Sequence, residues 1–399
     1  MGSTRARSLR RQRPAGDSID SGPLTVLDFP PEITIEIFQR FVPAYPARPE
    51  LLGDGSPLIL TRICRLWRDI AHDTPGLWRA IEVRFPAAAR EQSVHSMYIP
   101  PPKTIQDWLA RSHPLPISVG LRCADTGGLP LWLVERTLAP LLDEMERWEY
   151  TELVLPSRLL PCHLAPGKVH HMPVLVGLRL ESVARAREER AILSTIDAPG
   201  IQRLHMRLGI RGSYTNLLST RSFGQLSRLK LVEVRPDQVR EILECTPQVV
   251  ECYFCFSAAA GGRLAAAQPN DSRKPVVFPR MSTLALDADT IRFDLIHFLG
   301  GLALPALKNV AISRSLLMAQ PHYHPINTHG AGSSFDTFAA TIRRSCTSAG
   351  GEALESFTLF NCGPSGIGDG RPSFRYECQR VFREVATIEL LDGDYEGPP

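Results

Sequence analysis

The sequence predicts an α/β protein: a small N-terminal helical unit, then a long irregular array of short strands and crossover helices sharing one curved parallel sheet. Three observations predict it. Residues 27–83 carry apolar positions at helical spacing. Ten segments share one apolar frame, most of them repeating at a period near 25 residues. Finally, 34 prolines and 29 glycines among 399 residues break the chain too often for a bundle of long helices. Hydrophobic residues make up 43 per cent, which excludes wholesale disorder.

Residues 1–22 are polar and basic and are expected to be disordered. Arg5, Arg7, Arg10, Arg11 and Arg13 fall among the first 13 residues with no acid between them. No apolar run follows, so this is not a secretory signal. A nuclear address or an organelle presequence would fit, as would a solvated tail, which is the expectation here. Ala6 stands where a myristoylation pattern needs Ser or Thr. The net charge of +3 is no nucleic-acid footprint. No stretch reaches the ~20 apolar residues of a membrane span. Nine cysteines, an odd number, imply reduced thiols and a cytoplasmic or nuclear location.

The helical unit is expected over residues 24–84. Pro30 and Pro31 suit a helix start, where no amide donor is needed, and Glu32 sits at the positive end of the dipole. On this helix Ile33, Ile37 and Phe41 form one apolar stripe; Ile35, Phe38 and Val42 form a second. A surface helix normally has one. Two stripes imply two burial partners, one of them the unit's own core and the other a different chain. Pro43, Pro46 and Pro49 stop the helix and begin an extended loop. A second helix is expected over residues 57–72, with Ile59, Ile63, Leu66, Trp67 and Ile70 inward and Thr61, Arg65, Arg68 and His72 solvated.

Four pieces in order carry a family resemblance: Phe29-Pro30-Pro31-Glu32-Ile33; Ile37-Phe38; Cys64-Arg65-Leu66-Trp67-Arg68; and Pro75-Gly76-Leu77-Trp78. Together they resemble an F-box, over about 55 of the 399 residues. Phe29 and Thr34 stand where the family often has Leu. The resemblance implies a trihelical unit docking onto the small adaptor of a cullin-based (SCF-type) ubiquitin ligase. Phe29, Pro30, Ile33, Ile37 and Phe38 would then contact the adaptor, and Cys64, Trp67, Leu77 and Trp78 would pack the motif.

Residues 85–399 are expected to hold the array. Five segments read Pro, any, apolar, two any, apolar, any, apolar, beginning at Pro173, Pro199, Pro247, Pro279 and Pro305. The apolar triples Trp78/Ile81/Val83, Tyr150/Leu153/Leu155, Leu226/Leu229/Leu231, Leu354/Phe357/Leu359 and Val385/Ile388/Leu390 fit without the proline. From Tyr150 the steps are 25, 26, 25, 23, 32, 26, 47 and 31. The last apolar pair of each frame has strand period. Helical stretches are expected over 182–197, 236–245, 290–299 and 335–348, so the strands should run parallel. Loops are expected near 258–275, 320–334 and 363–373, where Gly, Pro and small polar residues gather. The array resembles a degenerate leucine-rich repeat without the regular turn Asn or Cys.

Chemistry-bearing motifs are sparse. Cys252-x-x-Cys255 lacks the second pair that zinc needs, and Cys252 fills an apolar frame position, so a buried thiol is expected. Cys162-His163, His170-His171 and the group His322, His324, His329 have no recognised ligand spacing. Neither a nucleophile elbow nor a phosphate loop occurs. No metal, cofactor or catalytic residue is therefore expected. Arg203, Arg207, Arg211, Arg221, Arg228 and Lys230 cluster around two units and could meet an acidic segment or a phosphate. With the family resemblance, these readings imply a non-enzymatic substrate receptor of the ligase. Its partners would be the adaptor, through it a cullin, and a target the sequence does not identify. Neither a membrane nor nucleic acid is expected as a partner. The alternative is a repeat scaffold in which the helices only cap the array.

Overall fold

A computed structural model describes residues 26–85, 100–123, 131–156, 159–160, 168–182, 195–208, 214–257, 275–289, 295–318, 334–347, 354–360 and 374–391. The basic tail, Arg211, Cys162-His163, the three histidines of 322–329 and almost all of the three expected loops lie outside these residues. The fold is α/β. Its centre is one eleven-stranded sheet: β1 (Ala80–Phe85), β2 (Ile117–Cys123), β3 (Trp148–Leu155), β4 (Gly177–Ser182), β5 (Arg203–Arg207), β6 (Arg228–Val234), β7 (Glu251–Ser257), β8 (Thr283–Asp289), β9 (Asn309–Ser313), β10 (Ser356–Phe360) and β11 (Thr387–Leu390). The strands follow one another across the sheet in chain order, and every pairing is parallel.

Parallel sheets covered on both faces read as continuous apolar runs. The central strands β4–β7 alternate instead, whereas β1, β2, β9 and β10 are buried almost throughout. In β4, Leu178 and Leu180 are buried while Gly177, Arg179 and Glu181 are partly exposed. Over these central strands one face therefore belongs to the core and the other is polar; toward β8–β10 the second face carries a small buried cluster of Ala285, Ala311 and Phe360. The core face is the predicted frame: Leu178 lies beside Leu204, Leu229 beside Cys252, Leu284 beside Val310, and Phe357 beside Ile388. The frame is two residues late in one unit. Thr151 and Leu153, not Leu153 and Leu155, pair with Leu178 and Leu180. The unit is Trp148/Thr151/Leu153, disguised by a threonine at an apolar position. Strand β2, absent from the predicted series, belongs to it too, with Val119 beside Ile81 and Leu121 beside Val83.

The recurrent proline has a sharper role than a generic strand approach. In each of the five units the first apolar residue donates its N–H to the carbonyl three residues earlier: Leu175 to Met172, Ile201 to Ala198, Val249 to Thr246, Met281 to Phe278 and Leu307 to Leu304. Proline is thus the second residue of a four-residue turn, where its fixed φ is already correct. Gly224 and Arg383 take that place in the turns before Leu226 and Val385.

Helices are found at Pro236–Cys245, Leu295–Gly300 and Ser334–Thr347, within or close to three of the expected stretches. The stretch 182–197 is not a helix where it is described: Thr195–Asp197 is a strand paired with Val169–His171. His170 and His171 therefore lie on a short strand.

The N-terminal unit holds α1 (Pro31–Phe41), α2 (Leu60–Ile63) and α3 (Arg65–His72). The expected second helix is two, because Cys64 is extended (φ −154°, ψ 173°) and its Sγ caps α3, accepting from the Trp67 N–H at 3.4 Å. That break rotates the apolar spacing. Trp67 and Ile70 still pack on the core, but Ile63 and Leu66 face outward. The unit is continuous with the sheet: Phe38, Leu60, Leu77 and Trp78 join one core with Ile81 and Val83 of β1. Residues 49–51 also bond along β1, the Leu51 N–H to the Glu82 carbonyl at 2.9 Å and the Glu82 N–H to the Pro49 carbonyl at 3.0 Å. The expected boundary at residues 84–85 falls inside β1.

Candidate functional site

Two surfaces stand out. The first is the outer stripe of α1. Phe29 just before the helix, and Ile33, Ile37 and Phe41 on it, four residues apart, are 39–50 per cent exposed. Ile63 and Leu66, turned out by the break at Cys64, add to the unit's exposed apolar area. Pro30 is exposed as well. Single exposed apolar residues are ordinary, but a stripe at helical spacing is a candidate interaction surface. Phe38 is a correction to the expected contacts. It is fully buried, edge-on to Trp67 with ring centroids 4.9 Å apart, and belongs to the core. The second stripe therefore faces inward, with Ile35 and Val42 half-buried and Thr34 buried. Cys64 and Trp67 are half-buried; Leu77 and Trp78 are buried.

The second surface is the polar face of the sheet. Register places its side chains in rows. One row runs Ser118, Tyr150, Gly177, Arg203, Arg228, Glu251, Thr283. The next runs Glu82, Gly120, Glu152, Arg179, His205, Lys230, Tyr253, Ala285. A groove of about 500 Å³ lies over these rows from β3 to β8, with Pro46, Ala47 and Arg48 at one end.

That end is closed by the Pro-rich loop. Arg48 reaches over Gly120, where an added Cβ would lie 2.7 Å from its Nε, so only glycine leaves it room. Its guanidinium pairs with Glu152 and donates to the Val119 carbonyl at 3.3 Å. Burial pulls the Arg48 pKa below its usual value, with Glu152 and Glu82 opposing that effect. Glu152 also meets Arg122 at 2.7 Å and Arg179 at 3.3 Å. Tyr45, under the Arg79 guanidinium, donates to Glu149 at 2.6 Å.

Of the six basic residues singled out from the sequence, Arg203, Arg228 and Lys230 line the groove. Arg228 is paired with Glu251 at 3.0 Å. Arg207 is neutralised by Glu233 at 2.7 Å; a bulge in β6 with Glu233 at φ 59° aims that carboxylate across the strands. Arg221 sits on the short helix Thr220–Phe223, away from the rows. Sequence reasoning passed over Arg48, Glu152, Arg179 and Tyr253. The signal for Arg179 and Tyr253 was present: each is the middle residue of an apolar-any-apolar pair. His205 lies 3.5 Å from Glu181 but is neutral. Burial first, then Arg179, Lys230 and Arg207, push its pKa down to about 3.

Cys252 and Cys255 are three residues apart on β7, so their side chains leave opposite faces and do not converge on one ion. Among the described residues no group of three or more metal-ligand side chains gathers. Burial raises the Cys252 thiol pKa. Iodoacetamide at neutral pH should therefore spare Cys252 in the folded chain and modify it only in denaturant, read by peptide mass mapping. Labelling at the unfolded rate would contradict its burial. No helix among the described residues is long and apolar enough to cross a membrane. Comparison with family models and with curated proteins found no match to this chain.

Proposed function

We propose that this chain is the substrate receptor of a cullin-based ubiquitin ligase. In this reading α1–α3 form an F-box that binds the adaptor, and the sheet is an irregular leucine-rich-repeat-like solenoid whose polar face holds the target. The chain does no covalent chemistry of its own. It contributes proximity, raising the effective concentration of target near a ubiquitin-charged enzyme. The observation that carries the reading is the exposed stripe Phe29, Ile33, Ile37 and Phe41, whose first three members are among the positions that resemble the family's adaptor contacts.

A second reading, an N-terminal cap on a scaffold, is favoured by residues 49–51, which cover the β1 edge, and by the shared core around Trp78. The same helices can serve both roles, so adaptor binding decides. Affinity purification should recover the adaptor and cullin with the wild type. Ile33→Asp/Ile37→Asp should lose both. Because these side chains are exposed, that variant should keep its Tm. Undiminished recovery with the variant would overturn the site assignment, and no recovery with the wild type would favour the scaffold.

A further inference from the structure

We propose that the groove over β4–β7 binds an extended acidic segment of another protein through its side-chain carboxylates. This rests on the reading of the polar face as the target face and names the class of target.

Charge bookkeeping within the groove carries the inference. Among the described residues, Arg48, Arg179, Arg203, Arg228 and Lys230 line it against only Glu152 and Glu251. The acids are already engaged, Glu152 by Arg48, Arg122 and Arg179, and Glu251 by Arg228. Two cations are left over. The Arg203 side chain is exposed and makes no ion pair or hydrogen bond among the described residues; its backbone N–H donates to the Val176 carbonyl. Among the described residues the Lys230 ammonium has no carboxylate partner and lies over the face of Tyr253, 4.6 Å from the ring centroid. His205, between them on the same face, is neutral and adds no charge.

Spacing favours carboxylates over a single phosphate. Arg203 is opposite Arg228, and Lys230 is two residues further along β6. One strand spacing of about 4.8 Å and two residues of about 3.3 Å each put the two positions roughly 8 Å apart. Alternate side chains of an extended segment repeat every ~6.6–6.8 Å, within reach of two long, flexible cations. A phosphate concentrates its charge at one point. Glu251, next to Arg228 on the β7 side, and Glu152 at the β3 end disfavour a continuous phosphodiester backbone along the whole groove. Arg203 adjoins Gly177, which carries no side chain and is flanked by the Tyr150 ring, so an extended chain has an apolar wall beside the charge.

The test is fluorescence polarisation with the full chain, without adaptor. The probe is a fluorescein-labelled dodecapeptide alternating Glu with Ser. Gln-for-Glu, single-phosphoserine and oligothymidylate probes of matched length are run beside it. The Glu probe is expected to bind, and to bind more weakly as salt rises. Arg203→Glu/Lys230→Glu should weaken it about ten-fold or more, each reversal replacing attraction by repulsion. Arg65→Glu, on the exposed surface of α3, should leave it unchanged. Equal binding to the double variant, equal binding of the Gln probe, binding confined to the phosphoserine or oligothymidylate probe, or no binding would each overturn the proposal. None of these outcomes touches adaptor binding at α1, so the two readings fail separately.

Discussion

Trp78→Ala is expected to cost about 3–5 kcal/mol of folding stability, the range for emptying a large aromatic site in a packed core. Trp78 is fully buried where the helical unit meets the sheet. Its Nε1–H donates to the Ala71 carbonyl at 2.7 Å, and its own carbonyl accepts from Trp108 Nε1 at 2.7 Å. The two indoles meet edge to face at 5.0 Å, and the Arg111 guanidinium lies over the Trp78 ring. Removal opens a cavity and leaves the Ala71 carbonyl without that donor. Trp78→Phe keeps most of the apolar volume and should cost less. Urea unfolding measures both. A loss below about 1 kcal/mol for the alanine variant would mean that the unit does not share the sheet's core.

Glu152→Ala is expected to cost about 3 kcal/mol, because it strands a buried charge. Glu152 is almost fully buried among three guanidinia. After its loss Arg122 retains Glu82, and Arg179 retains Glu181. Among the described residues Arg48 keeps hydrogen bonds only to neutral acceptors, the Val119 carbonyl and the Ser118 hydroxyl, with Glu82 left as a charge that it does not contact directly. The cost is therefore mainly the unpaired Arg48. Arg48→Ala added to Glu152→Ala should cost little more or recover part of the loss, a strongly non-additive cycle. Additive losses would mean that the loop and β3 are not coupled through this pair.

Much of the sheet was legible because its signal is local. Each unit repeats a turn, an apolar residue and an apolar-any-apolar strand within eight residues, so period and proline position expose it. The unit at Trp148 slipped because Thr151 is buried by its neighbours, a tertiary effect that composition does not carry. The break at Cys64 was hidden for a similar reason. Apolar spacing runs straight through it, and only the extended backbone turns Ile63 and Leu66 outward. On α1 the two stripes were readable, but not which faced the core. Phe38 is settled by Trp67, 29 positions later. The groove was half legible. Arg203, Arg228 and Lys230 are close in sequence, whereas Arg48 reaches Glu152 across 104 positions. Nothing local announces that a Pro-rich loop closes one end of a polar sheet face.

The central claim is that the exposed stripe of α1 binds the ligase adaptor. Isothermal titration of the purified full-length chain with purified adaptor tests it most directly. The expected result is saturable one-to-one binding by the wild type and its loss in Ile33→Asp/Ile37→Asp, with both proteins equally folded by circular dichroism. Absence of binding by the wild type, or undiminished binding by the variant, would contradict it.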